Sequence, residues 1–336
     1  MPIDRRLNKS IKIIVNYLVG PVVFLLLCYF IRWQVIHQSN WRASLSQIKG
    51  AVRGPLQWKL WLVVALMPLN WGIEARKWQL ALRPIEGISF KDAFRAIFTG
   101  ITLASFTPNR MGEYMGRILY IKEGRRISAI SLTIICSISQ LLITLIIGLA
   151  GLLYLRPIAH LRAGQGQPGL NIGLNALLII VPLLLVSLTF IYFRLSWVAT
   201  VLARIPGARK YEAYIKVLQN FDATILLRIL FLSFGRYIVF IVQYSLIFPV
   251  FGVYLGFGEV WGGISVVFLV MAVMPTFTFL TDLGLRWGAS IQVLELFSPN
   301  MVGVFAASFA IWLINLIIPA LIGSLLILSI KLFKSR

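Results

Sequence analysis

Residues 105–117 read Ser105-Phe106-Thr107-Pro108-Asn109-Arg110-Met111-Gly112-Glu113-Tyr114-Met115-Gly116-Arg117. They close an uncharged run, Ala96 to Asn109, of only 14 residues, whereas a helix needs roughly 20 apolar residues to cross a hydrocarbon core of about 30 Å. A run that short, ending in Thr-Pro-Asn and leading directly into charge, predicts a helix that enters the membrane and turns back. Thr107 is a candidate N-cap and Pro108 a candidate first residue of the return arm. Glu113 and Arg117, four residues apart, then share one helical face.

A second stretch has the same logic. Val260 to Thr281 is long enough to cross, but Pro275 interrupts it, and Asp282 and Arg286 follow, again four apart. Both stretches are therefore expected to be re-entrant hairpins. Opening from opposite sides, they read as candidates for an inverted repeat, with halves at about 1–160 and 161–336, of the kind that builds midplane sites in transporters.

Working outward, the 336 residues are 59% hydrophobic and 13% charged, with mean hydropathy +0.86. A soluble domain is nearer 25% charged, so an ordinary soluble enzyme is excluded and an integral membrane protein is expected. Uncharged runs at Ile13–Ile31, Ile127–Leu155, Ile172–Phe193, Tyr237–Gly258 and Met301–Ile330, with a less regular one at about Leu60–Leu82, predict about six transmembrane helices. The class is all-α and polytopic, a single transmembrane domain over 1–336 with no soluble domain. Trp41, Leu45, Ile48 and Val52, beside Arg42, Lys49 and Arg53, predict an interfacial helix. The run after Arg5, Arg6, Lys9 and Lys12 is longer than a signal-peptide h-region and is read as a retained span.

With six crossings, two hairpins and the N-terminus inside, 22 of the 32 basic residues fall on the cytoplasmic side and 7 outside. That bias places both termini in the cytoplasm, in a bacterial-type inner (plasma) membrane. The net charge of +21 in so apolar a chain points to anionic lipid as the standing partner and away from nucleic acid. Cys28 and Cys136 lie in apolar runs, and His37 and His160 have no companions, so no metal or disulfide is expected. Gly164-Gln-Gly-Gln-Pro-Gly169 is a loop with no strand before it, and no nucleotide-binding loop occurs. No cofactor is expected, and no ATPase activity within this chain.

The chemistry expected of the hairpins is anion binding. Arg110, Arg117 and Arg286 would offer guanidinium donors to phosphate, with Glu113 and Asp282 holding them or balancing their charge. Thr107, Pro108 and Asn109 would shape the turn. Arg236 and Gln243, seven apart on the fifth span, would line the same cavity. Glu74, Arg76 and Lys77 read as a structural charge clamp at a span end. A purely structural role, with the ions pairing to pin the hairpins, stands beside this reading.

The stretch 105–117 also resembles the T-P-x-R-x-G-E-x-x-R signature of the lysylphosphatidylglycerol synthase transmembrane region, or flippase-like, family, with the last arginine one place later. Glu74-Ala-Arg76-Lys-Trp78 resembles its second-helix pattern. Pro275 with Asp282-Leu-Gly284-Leu-Arg286 resembles its late element, where Trp287 replaces the usual acid. The resemblance covers nearly the whole chain. It implies a domain that moves a phospholipid or polyprenyl-phosphate-type headgroup, anionic or zwitterionic, between leaflets. It does not extend to aminoacyltransferase activity, because no such domain is present in this sequence. The alternatives are a membrane-embedded lipid-modifying enzyme, with Glu113 or Asp282 as base, and a non-transporting scaffold for a partner synthase or glycosyltransferase.

Overall fold

The computed structural model describes residues 25, 29, 41–107, 110–162, 168–195, 197, 221–274 and 279–328. The expected first span, Ile13–Ile31, therefore lies almost wholly outside the described residues, as do Pro108, Asn109 and Pro275. In chain order the helices are α1 (Trp41–Arg53), α2 (Gln57–Leu82), α3 (Phe90–Ala104), α4 (Gly112–Ile118), α5 (Arg126–Arg162), α6 (Pro168–Phe193), α7 (Ala223–Val250), α8 (Phe257–Val273), α9 (Phe279–Leu294), α10 (Met301–Trp312) and α11 (Ile318–Leu328). No strand occurs among the described residues. The protein is an all-α, multi-pass membrane protein.

Among the described residues four stretches are long and apolar enough to cross a bilayer: 123–158, 175–193, 223–250 and 301–327. The 26-residue α2 is also long enough, at roughly 39 Å, although it carries Glu74 and Lys77 within it. One expected boundary moves. The uncharged run Tyr237–Gly258 predicts the fifth span, but α7 runs from Ala223 to Val250, because Arg228 and Arg236 sit inside a continuous helix instead of ending it. A run of uncharged residues marks where a helix needs no help; it does not mark where the helix starts.

Both hairpins form as pairs of packed helices among the described residues. In the first, α3 and α4 run antiparallel at backbone contact: a Cβ on Gly100 would stand 2.9 Å from the Glu113 carbonyl oxygen, and one on Gly116 would stand 2.5 Å from Gly100 Cα. Gly112 is pressed as closely against the Leu103 carbonyl. Only glycine allows arms this close. At 15 residues, α3 extends about 22 Å, less than a full crossing. In the second hairpin, α8 (17 residues) and α9 (16 residues) pair through side chains, with Gly263 facing Leu294.

The remaining helices form the frame. Helices α2 and α7 pack along their lengths. Helix α5 packs on α8, where Gly148 and Gly151 face Leu269 and Ser265, and α3 packs on α11, where the Thr102 hydroxyl donates to the Ala320 carbonyl at 2.7 Å. Helix α1 forms as expected and packs against α10 and α2. Between α10 and α11 the chain widens into a π turn, Leu313–Ile317. There Asn315 accepts from the Trp71 indole at 3.1 Å through its carbonyl, and its side chain donates to Gln243 at 3.1 Å. Pro319 has no N–H to offer the Asn315 carbonyl four residues back, and that freed carbonyl ties the last span to α2.

Candidate functional site

One face of α2 carries Asn70, Glu74 and Lys77, at the spacing that stacks side chains along a helix. Glu74 is 3% exposed. Its carboxylate meets Lys77 Nζ at 2.7 Å, Arg236 Nη1 of α7 at 2.9 Å and Arg117 Nη2 of α4 at 3.0 Å. A buried carboxylate is tolerated only when its charge is matched and hydrogen-bonded, and this one is shared by three cations from three helices. Arg236 also donates Nε to Asn70 Oδ1 at 2.8 Å and lies over the Trp71 ring at 4.5 Å from its centroid.

The first hairpin delivers the next layer. Glu113 binds Arg117 through Oε1 and faces Arg110 Nε at 3.5 Å through Oε2. It thus links a buried guanidinium, 1% exposed, to one that is 43% exposed. Arg117 stacks toward Trp78 at 6.0 Å, and Trp78 donates its indole N–H to Thr133 of α5 at 3.0 Å. The Arg117 Nε and Nη1 groups have no hydrogen-bond partner among the described residues. Behind the hub, Lys77 reaches the Cys136 carbonyl at 3.2 Å and the Ser233 hydroxyl at 3.3 Å, and Ser139 and Ser233 share a 2.8 Å hydrogen bond.

These groups open onto a cavity of about 360 Å³. Helix α2 contributes Glu74 and Lys77; the first hairpin, Arg110 and Glu113; α5, Gln140 and Thr144; α7, Arg236 and Phe240; and the second hairpin, Phe268, Met271 and Arg286. Arg286 donates to the Tyr244 hydroxyl at 3.4 Å. Gln140 donates to the Ser233 carbonyl at 3.4 Å, while its Oε1 has no partner among the described residues. With Arg117 behind the wall, the described groups comprise five cations and two carboxylates. Such a site favours an anion with hydrogen-bond acceptors, bounded on one side by an apolar wall.

The sequence-derived set divides on inspection. Arg110, Glu113, Arg236 and Arg286 line the cavity, and Arg117 stands directly behind it. Asp282 lies in α9, but its side chain is outside the described residues, as are Pro108 and Asn109 entirely. The residues that would follow Thr107 as an N-cap, Pro108 and Asn109, lie outside the described residues. The return arm begins at Gly112 after Arg110, which has a left-handed backbone (φ 57°), and the Thr107 hydroxyl accepts the Gly112 N–H at 2.6 Å from five residues upstream. Gln243 shares a face with Arg236, but two turns along it donates to the Val63 carbonyl at 2.9 Å and accepts from Asn315, away from the cavity.

The expected clamp also splits. Glu74 and Lys77 are interior, whereas Arg76, about 200° round the helix from Glu74, is exposed and binds only Gln79 at 2.6 Å among the described residues. Asn70 and the polar side chains of α5 are not singled out by the sequence reading, which takes Glu74 and Lys77 only as a clamp. The Asn70-Glu74-Lys77 stripe within an apolar span, and the polar Ser137, Ser139, Gln140 and Thr144 within the Ile127–Leu155 run, were the signals available.

Comparison with curated proteins and with solved structures gives no match. The family model described as lysylphosphatidylglycerol synthase TM region matches residues 17–325, nearly the full length. That span takes in the Glu74 hub, both hairpins and every cavity-lining side chain, and the chain therefore belongs to the lysylphosphatidylglycerol synthase transmembrane region family.

Proposed function

We propose that the cavity passes the headgroup of an anionic or zwitterionic phospholipid, or of a polyprenyl-phosphate-type lipid, between leaflets while the acyl chains remain in the bilayer. The observation that carries this reading is the convergence of Arg110, Arg236 and Arg286, from the first hairpin, α7 and the second hairpin, on one cavity. Guanidinium groups bind phosphate through paired N–H donors. Arg110 is the accessible one, held by Glu113 at 3.5 Å, so an arriving phosphate competes with Glu113 for it. Arg117 stays buried and anchors Glu113 from behind. Gln140 Oε1 offers an acceptor to a hydroxyl or amine on the headgroup. Asp282 is assigned the balancing role opposite Arg286 on sequence grounds.

The lipid leaves as it arrived: the reading is transport without chemistry, in a bacterial-type inner membrane, with both termini in the cytoplasm on the strength of the Lys and Arg distribution. The test is headgroup accessibility in reconstituted liposomes. Wild type should exchange labelled phospholipid between leaflets, and Glu113→Gln and Arg286→Gln should not. Equal exchange by the variants overturns the reading. So does a lipid recovered with altered mass.

A further inference from the structure

The side of α2 that turns away from the hub carries Arg76, Leu80 and Arg83, at successive helical turns. The outward side of α7 carries Leu227, Arg228 and Phe231. Together they border a second hollow of about 650 Å³. It shares no lining residue with the central cavity, and Ala75, Ile229 and Ser233, which alternate with the lining residues along α2 and α7, are buried. Its walls differ in kind from those of the cavity. No carboxylate lines it among the described residues, and Arg76, Arg83 and Arg228 form no ion pair with a described acid.

Arg76 stands six residues inside the end of α2, roughly 9 Å along the axis. A guanidinium at that depth, facing outward, is costly unless it reaches the interface or meets an anion. Beside it, Phe231 is 74% exposed and Leu227 is 55% exposed, an apolar surface fitted to an acyl chain. Three guanidinium groups above two exposed apolar side chains match the two halves of one molecule.

We propose that this groove is a binding site for an anionic phospholipid of the adjacent leaflet, with its phosphate among Arg76, Arg83 and Arg228 and an acyl chain along Leu227 and Phe231. The charge pattern selects the occupant: three positive groups with no acid beside them among the described residues disfavour a zwitterionic headgroup, and the exposed apolar wall disfavours a free anion. Basic pockets between membrane helices bind anionic headgroups in this way. The site is independent of headgroup passage through the central cavity.

The experiment uses the full-length chain in detergent, with bound lipid counted by native mass spectrometry after exposure to mixed phosphatidylglycerol and phosphatidylcholine. Wild type should prefer phosphatidylglycerol by about a hundredfold, three arginines at about 1 kcal/mol each. The Arg76→Gln/Arg83→Gln/Arg228→Gln variant should lose that preference, by about fivefold per arginine, and Glu113→Gln should keep it. If the triple variant does not fold, Arg83→Gln alone, at the helix end, should show the fivefold loss. A preference that survives the triple variant, or that disappears with Glu113→Gln instead, places the lipid in the cavity and overturns the proposal. Displacement of the lipid by millimolar inorganic phosphate, with equal protection of the fold, identifies the ligand as a free anion and overturns it as well.

Discussion

The two hairpins share a plan and differ in how they are held. The first has unequal arms of 15 and 7 residues joined at backbone contact through Gly100, Gly112 and Gly116, and its short arm ends in an arginine buried against Glu74. The second has nearly equal arms of 17 and 16 residues, paired through Leu294 and its neighbours. It meets the frame through polar contacts too, among them Arg286 to the Tyr244 hydroxyl and Ser308 to Ser290. The arms of one hairpin meet backbone to backbone, those of the other side chain to backbone. Backbone in contact with backbone cannot give way as a side chain can, so the second hairpin is the one whose arms have room to adjust.

The contrast breaks most readily at Glu74. Glu74→Gln removes the carboxylate common to Lys77, Arg117 and Arg236, leaving buried cations uncompensated; the expected loss is about 3–5 kcal/mol, read as a large fall in melting temperature in detergent. A variant that melts like wild type would mean that the hub contributes nothing to stability. Next comes the glycine contact. Gly116→Ala places a Cβ against Gly100 backbone, where no side chain can swing away, and should cost about 1–3 kcal/mol while reducing lipid exchange.

A smaller effect is expected at the turn. Thr107→Val keeps the shape but drops the hydroxyl that accepts the Gly112 N–H, for a loss of about 1 kcal/mol, measurable by the same melt and by faster amide exchange at Gly112. The smallest change has the opposite sign. In the second hairpin a Cβ at Gly288 meets nothing within 4 Å among the described residues, so Gly288→Ala should be neutral or stabilise by up to about 1 kcal/mol. If Gly288→Ala destabilises as much as Gly116→Ala, the two hairpins are equally tight and the comparison fails.

Much of this architecture was legible in local sequence. The short uncharged run before Arg110 and the interruption at Pro275 marked both hairpins, and the spacing of Glu113 from Arg117 placed one ion pair on one face. Other parts were legible only as ingredients. Glu74 and Arg76 look like members of one charge cluster until the helical angle between them is combined with a neighbour on one side and lipid on the other. Gln243 has the same face as Arg236 but a different depth, and depth depends on which stretch of α2 runs beside it.

The amino-acid sequence by itself determined what depends on near neighbours along the chain: an all-helical membrane protein, runs long enough to cross and runs too short, broken elements followed by acid and arginine one turn apart, and membership of its family through a motif contained in thirteen residues. The tertiary structure alone decided what depends on helices meeting. Glu74 joins Arg117 from 43 residues away and Arg236 from 162, and Arg286 reaches the cavity by the packing of α8 on α5. Helical periodicity governs the facing of residues three or four apart, whereas separations of this size are closed only when whole helices pack, and the register of that packing is set by the glycine contacts and the π turn.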